Sequence, residues 1–328
     1  MGKVLEDRRD ETKSRFKQLQ NELRAADQLA ANKACVYATG SFGRDEASKH
    51  SDLDLFIIGT GKKDRRELSR LEEICIKAEL IKAVQKFGIQ EFSNDGEYLK
   101  HYTEQDLIET LGKLEDDANN TFTARLLMLL ESKPLVGEKG IYERAIANVI
   151  EFYWRDYPDN KNKFIPAFQA NDILRLWRTF CVNYEARTRT GSAEEKAKRK
   201  AKNYKLKNSR LLTCYSALLY LLAIYVARKT VSQGDAISMT GLSPTARLEW
   251  LLGRKDLKSA HQTVRDLLHC YEGFLEATDY SPKELTARFL DPANSKQYSL
   301  SANRLGNLAF KAIETIGQRS DFHRVLVV

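Results

Sequence analysis

The chain has 328 residues, 42% hydrophobic and 30% charged, with 17 glycines and 6 prolines. That composition suits a largely helical globular protein of about two domains and excludes a fibrous or low-complexity chain. The net charge of +8 is local: between residues 187 and 210 stand ten Lys/Arg against Glu194 and Glu195, and the rest of the chain is electrically balanced. Such a concentration fits polyphosphate, a nucleic-acid backbone or an acidic partner as readily as a solvated helix face.

In chain order, Leu5, Phe16, Leu19, Leu23 and Leu29 recur at helical spacing among charges and predict a long amphipathic helix over 4–31. Residues 35–39 form a short apolar run ending at Gly40, and 53–58 a second run ending at Gly59 and Gly61; both are expected strands. Helical spacing returns over 64–87, with Gly88 as its stop, and 89–93 is expected to come back as a third strand before the turn Asn94-Asp95-Gly96. From about Thr103 helical pattern dominates. The breaker Lys133-Pro134-Leu135-Val136-Gly137 closes the apolar run 122–130, which sets the expected domain boundary. Beyond it, 167–184 and 206–228 are the expected main helices, with the basic segment between them. The expected class is therefore α/β (α+β), a small mixed-sheet domain over 1–135 followed by a helical domain over 136–328.

The longest apolar run, 217–227, is shorter than the roughly 18 to 20 residues that cross a bilayer, so it is expected to be a buried helix and no membrane partner is expected. Glu6, Asp7, Asp10 and Glu11 interrupt the N-terminus, which lacks the apolar stretch of a signal peptide. Cys35, Cys75, Cys181, Cys214 and Cys270 are odd in number and widely separated in apolar surroundings, as reduced core thiols are, and the expected location is the cytoplasm.

The most specific feature is Gly40-Ser41-Phe42-Gly43-Arg44 followed by Ser51-Asp52-Leu53-Asp54-Leu55. Side chains alternate faces along a strand, so Asp52 and Asp54 are expected on one face with Leu53 and Leu55 in the apolar layer opposite. Adjacent carboxylates repel unless a cation lies between them, and hard oxygen ligands favour Mg²⁺ or Mn²⁺. Gly40 allows a phosphate to approach the backbone closely, and Ser41 can hold its oxygens. Arg44, on the same turn, can reach a phosphate or a neighbouring carboxylate.

These residues resemble the nucleotidyltransferase superfamily of DNA polymerase β, and in texture its PII-uridylyltransferase-like and minimal nucleotidyltransferase members. The resemblance implies transfer of a nucleoside monophosphate from an NTP or dNTP to an acceptor hydroxyl, with pyrophosphate leaving. It implies a third metal-binding carboxylate from a later strand, for which Glu91 is the candidate. It also implies a helical domain that closes the active-site cleft and offers Lys205, Lys207 or Arg210 to the triphosphate. The acceptor stays open: a nucleic-acid end, another nucleotide in an oligonucleotide signal of the kind used in phage defence, or a partner protein. Loss of turnover would leave a nucleotide-binding sensor. Arg125 and Asp117 have a further, weaker claim to a substrate, beside the plainer reading as helix-terminus residues.

Overall fold

The amphipathic pattern over the first thirty residues folds as two helices, α1 (Lys3–Glu22) and α2 (Arg24–Ala30). The computed structural model describes residues 2–62, 65–90, 92, 96, 99–186, 191–318 and 320–328. These form two compact units, Lys3–Tyr153 and Trp154–Val328.

In the first unit, β1 (Ala34–Thr39) and β2 (Asp54–Gly59) form where the apolar runs predict them. They pair antiparallel in the register Thr39↔Asp54 to Ala34↔Gly59. Every residue of β1 is buried because both faces of the sheet are covered. On one face Val36, Ala38, Leu55 and Ile57 join Leu19, Leu23, Ala26 and Ala30 and, from α4 (Arg70–Lys86), Ile76, Leu80 and Val84. On the other, Tyr37 stacks on Phe56 at 5.7 Å and meets Tyr142 of α8 (Lys139–Tyr153) at the same separation. Ser69 starts α4 with a capping box closed by Glu72, which satisfies free N–H groups at its first turn.

A third strand does form beside β2, later than the expected 89–93. Of that segment the described residues Ile89, Gln90 and Phe92 carry no strand, and residues 91 and 93, with 94 and 95 of the expected turn, lie outside the described residues. The strand is β5 (His101–Thr103), parallel to Ile57–Gly59 and buried throughout. Pairing and two-sided burial select a strand more strongly than local apolarity does. Thr103 ends β5 and also caps α5 (Glu104–Glu109) through its side chain.

Helices α6 (Leu114–Ala118) and α7 (Thr121–Leu130) lead to β6 (Lys133–Gly137). The breaker segment expected to divide the domains is thus a strand of the sheet, whose order is β5-β2-β1-β6. Pro134 is tolerated because β6 is an edge strand. The helix that follows it, α8, covers β1 and β2, so the first unit continues to Tyr153. A small hairpin of β3 (Gly61–Lys62) and β4 (Arg65–Arg66) extends from the end of β2.

The second unit is helical. After α9 (Ala167–Ala186), Ser192 and Glu195 close a capping box on α10 (Ala193–Lys205). A π-helical turn, Leu206–Arg210, joins α10 to α11 (Leu211–Arg228), so most of the basic segment belongs to the same continuous helix as the apolar run. Around α11 pack α9, α12 (Gln233–Thr240), α13 (Pro244–Leu252) and α16 (Pro292–Gly317); α14 (His261–Ala277) and α15 (Pro282–Leu290) lean on α16, and α17 (Asp321–Val327) closes against α9.

By length and composition the helix Ala193–Arg228 could cross a membrane, but the apolar run within it is a buried helix, as expected. A window that admits Thr213, Cys214 and Ser216 has a mean hydropathy of 1.6, yet 78% of it is buried inside the protein. That is the environment of a core helix. The thiols are free, but only Cys35 and Cys214 are fully buried; Cys75 is exposed on α4, which corrects the expectation of five core thiols.

Candidate active site

Antiparallel pairing of β1 with β2 places the end of one strand beside the start of the other, and the candidate residues lie at that junction. Gly40 follows Thr39, the partner of Asp54. Its φ of +64° lies in the left-handed region, and a Cβ there would fall 2.5 Å from Asp54 Oδ2. Glycine is required on both counts. Gly43 is equally confined, since a Cβ would lie 1.9 Å from the Glu131 carbonyl oxygen. The turn is thereby held against both Asp54 and the end of α7.

Asp54 opens β2 and is half-buried, whereas Asp52 precedes the strand and is exposed. Leu53 and Leu55, on either side of Asp54, both enter the core, in agreement with the expected alternation across those positions. Flanking Gly40, the hydroxyls of Thr39 and Ser41 are buried without a hydrogen-bond partner. Buried hydroxyls are ordinarily satisfied, so two without a partner on either side of Gly40 in sequence retain hydrogen-bonding capacity for an oxygen-rich ligand. Ser41 was legible in the sequence; Thr39, read there only as a strand terminus, was not.

Arg44 does not face this junction as a free cation. It is 7% exposed, its Nε donates to Glu46 at 2.8 Å and its Nη1 donates to Glu131 at 3.0 Å. Its carboxylate partners are Glu46 and Glu131. Glu131 also accepts the Gly40 N–H at 3.2 Å, so one buried carboxylate positions both the arginine and the glycine turn. Neither Glu46 nor Glu131 was singled out in the sequence. The available signal was that a buried arginine in a glycine turn requires counter-charge.

Arg125 is also structural. It is fully buried, with Nη1 and Nη2 donating to Asp116 at 2.9 and 2.6 Å and Nε donating to Tyr153 at 3.1 Å. Glu91 lies outside the described residues. Among the described residues no group of three or more Asp, Glu, His or Cys is arranged to hold a metal ion, so the carboxylates to consider are Asp52 and Asp54. The donor chemistry fits a hard divalent cation: carboxylate oxygens with hydroxyls alongside, and no sulfur.

The basic candidates belong to the second unit. Lys205 ends α10 and is exposed. Lys207 and Arg210 lie in the π-helical turn, where Arg210 sits over the Phe180 ring at 5.5 Å and Lys207 lines a cavity with Lys200 and Lys296.

The first unit is thus an α+β domain, a small mixed sheet in which a glycine-serine turn is set against a strand-initial aspartate. Residues 17–108 match the family model described as "Nucleotidyltransferase domain". The chain thus carries a nucleotidyltransferase domain of the polymerase β-like superfamily, and the matched stretch contains Gly40, Ser41, Asp52 and Asp54. No curated protein sequence matches the chain.

Proposed function

We propose that the chain is a metal-dependent nucleotidyltransferase that moves a nucleoside monophosphate from an NTP or dNTP to an acceptor hydroxyl and releases pyrophosphate. Asp52 and Asp54 would hold Mg²⁺ or Mn²⁺, joined by Glu91 as the third carboxylate. A divalent ion, when bound, offsets phosphate charge and lowers the pKa of an attacking hydroxyl. The observation that carries this reading is the junction itself: the Gly40 backbone against the Asp54 carboxylate, with the buried Thr39 and Ser41 hydroxyls left without a hydrogen-bond partner.

In this reading Ser41, and Thr39 beside it, donate to phosphate oxygens. Gly40 keeps that approach free of side chain. Glu131 and Arg44 are positioning residues, acting through the turn rather than on substrate. The acceptor is proposed to be an oligonucleotide hydroxyl, because the charge excess lies in one short segment rather than over the whole surface.

The test is incubation with each α-³²P-labelled nucleoside triphosphate and Mg²⁺ or Mn²⁺, with short RNA and DNA strands as acceptors, resolved on nucleic-acid and protein gels. Label should pass to a strand, stop on addition of a chelator and fall at least about 100-fold in Asp52→Asn and in Asp54→Asn, each of which removes a direct metal ligand. Label on protein instead would replace the acceptor. Tight triphosphate binding without pyrophosphate release under all these conditions would overturn the transferase reading in favour of a nucleotide sensor.

A further inference from the structure

The second unit contains a cavity of about 570 Å³ built wholly from its own helices. That size lies within the range of small-molecule and cofactor sites. Lys200 and Lys207 reach its wall from α10 and the π-helical turn, and Lys296 reaches it from the first turns of α16. Lys200, Asn203, Tyr204 and Lys207 follow the i, i+3, i+4, i+7 rule, so one helical face supplies that side of the cavity.

No carboxylate among the described residues lines the cavity. Among the described residues none of the three lysines is ion-paired, whereas Lys198 on the same helix is paired with Glu194 at 2.9 Å. Three ammonium groups around one concavity repel each other, and an anion relieves that repulsion. The start of α16, a 26-residue helix, faces the same space through Pro292 and Ser295; its own first turn is capped by Asp291, which accepts the Ala293 N–H at 2.8 Å, so the positive field in the cavity is that of the lysines. Beside the polar Asn203 and Ser299, the wall carries the aromatic and apolar Tyr184, Phe289 and Leu290, the last 47% exposed. A phosphate alone has no use for such a wall, but a nucleobase does.

We propose that this cavity binds the phosphate and base of a nucleotide, either as a free nucleotide or as the phosphorylated end of a strand. The cations grip the phosphate and the Tyr184 side receives the ring. Lys207 thereby belongs to a site formed by the second unit itself, together with Lys200 and Lys296, which the sequence did not connect to it.

The full-length protein, in chelator so that no transfer occurs, is titrated by calorimetry with ADP, with adenosine and with a 5′-phosphorylated tetranucleotide. Lys200→Glu and Lys296→Glu should each weaken phosphorylated ligands by about tenfold or more, as expected for loss of a charged contact. Lys202→Glu changes the net charge equally on the same helix but outside the cavity, and should leave affinity nearly unaltered. Adenosine should bind at least about tenfold more weakly than ADP. Stronger response to the tetranucleotide than to ADP assigns the site to a strand end, and the reverse to a free nucleotide. Equal weakening by Lys202→Glu, or wild-type affinity in both cavity variants, overturns the proposal. Because the readout is binding without turnover, failure here is distinguishable from failure of the transferase reading.

Discussion

Gly40, Ser41 and Arg44 stand within five residues of each other, and their substitutions should fail in three different ways. Gly40→Ala meets both a left-handed backbone and the Asp54 carboxylate, with strain of about 1–2 kcal/mol from the backbone alone. It should displace Asp54 and reduce transfer more than it reduces stability, which comparison of kcat with the denaturation midpoint will show. Ser41→Ala removes a buried hydroxyl that makes no hydrogen bond, so thermal stability should be unchanged or slightly raised. If the hydroxyl serves phosphate as proposed, KM for the triphosphate rises several-fold. Arg44→Met leaves Glu46 and Glu131 buried without their cation and should cost about 3–5 kcal/mol, read as a lower unfolding midpoint of the first unit.

At the level of elements, the site depends on register. The pairing Thr39↔Asp54 brings the glycine turn to the aspartate, and a one-residue slip would send Leu53 and Leu55 out of the core. The edge of the sheet is held by a polar contact between α4 and β5: His101 Nδ1 donates to Glu73 at 3.2 Å. The His101 contact, with help from Lys77, holds the Glu73 carboxyl down to about 2 from its ordinary value near 4.5. A depressed carboxyl contributes stability above its unfolded pKa and loses it as pH falls through the folded one. The stability gap between wild type and Glu73→Gln should therefore be open above about pH 4.5 and close by about pH 2, measured as denaturation midpoints across that range.

At the scale of the whole molecule, the chain forms two compact units, each described by its own contacts. Trp154, fully buried, donates from Nε1 to the Val231 carbonyl at 2.8 Å and packs on Phe164, all within the second unit. Trp154→Ala should destabilise by about 3–5 kcal/mol. Hydrogen exchange followed by mass spectrometry should show faster exchange in α9 and α11 while the β1 and β2 amides keep their protection. Loss of protection in the sheet to the same extent would mean that the cores unfold as one.

Much of the first unit was legible in the amino-acid order because its signals are local. Apolar runs ended by glycine mark β1 and β2, and helical spacing stopped at Gly88 marks α4. The Gly-Ser and Asp-x-Asp spacing marks the site and the superfamily. What tertiary structure decided were the features that depend on distant partners. His101–Thr103 is a strand because β2 lies beside it, and 133–137 is a sheet edge rather than a boundary because β1 needs a partner there. Arg44 is a structural cation because Glu131, far along the chain, is folded against it. Lys200, Lys207 and Lys296 share one cavity because α16 packs on α10. Periodicity and turn chemistry are written in neighbouring residues, whereas the partner of a buried charge, or the counterpart of a strand edge, is chosen only when the chain closes on itself.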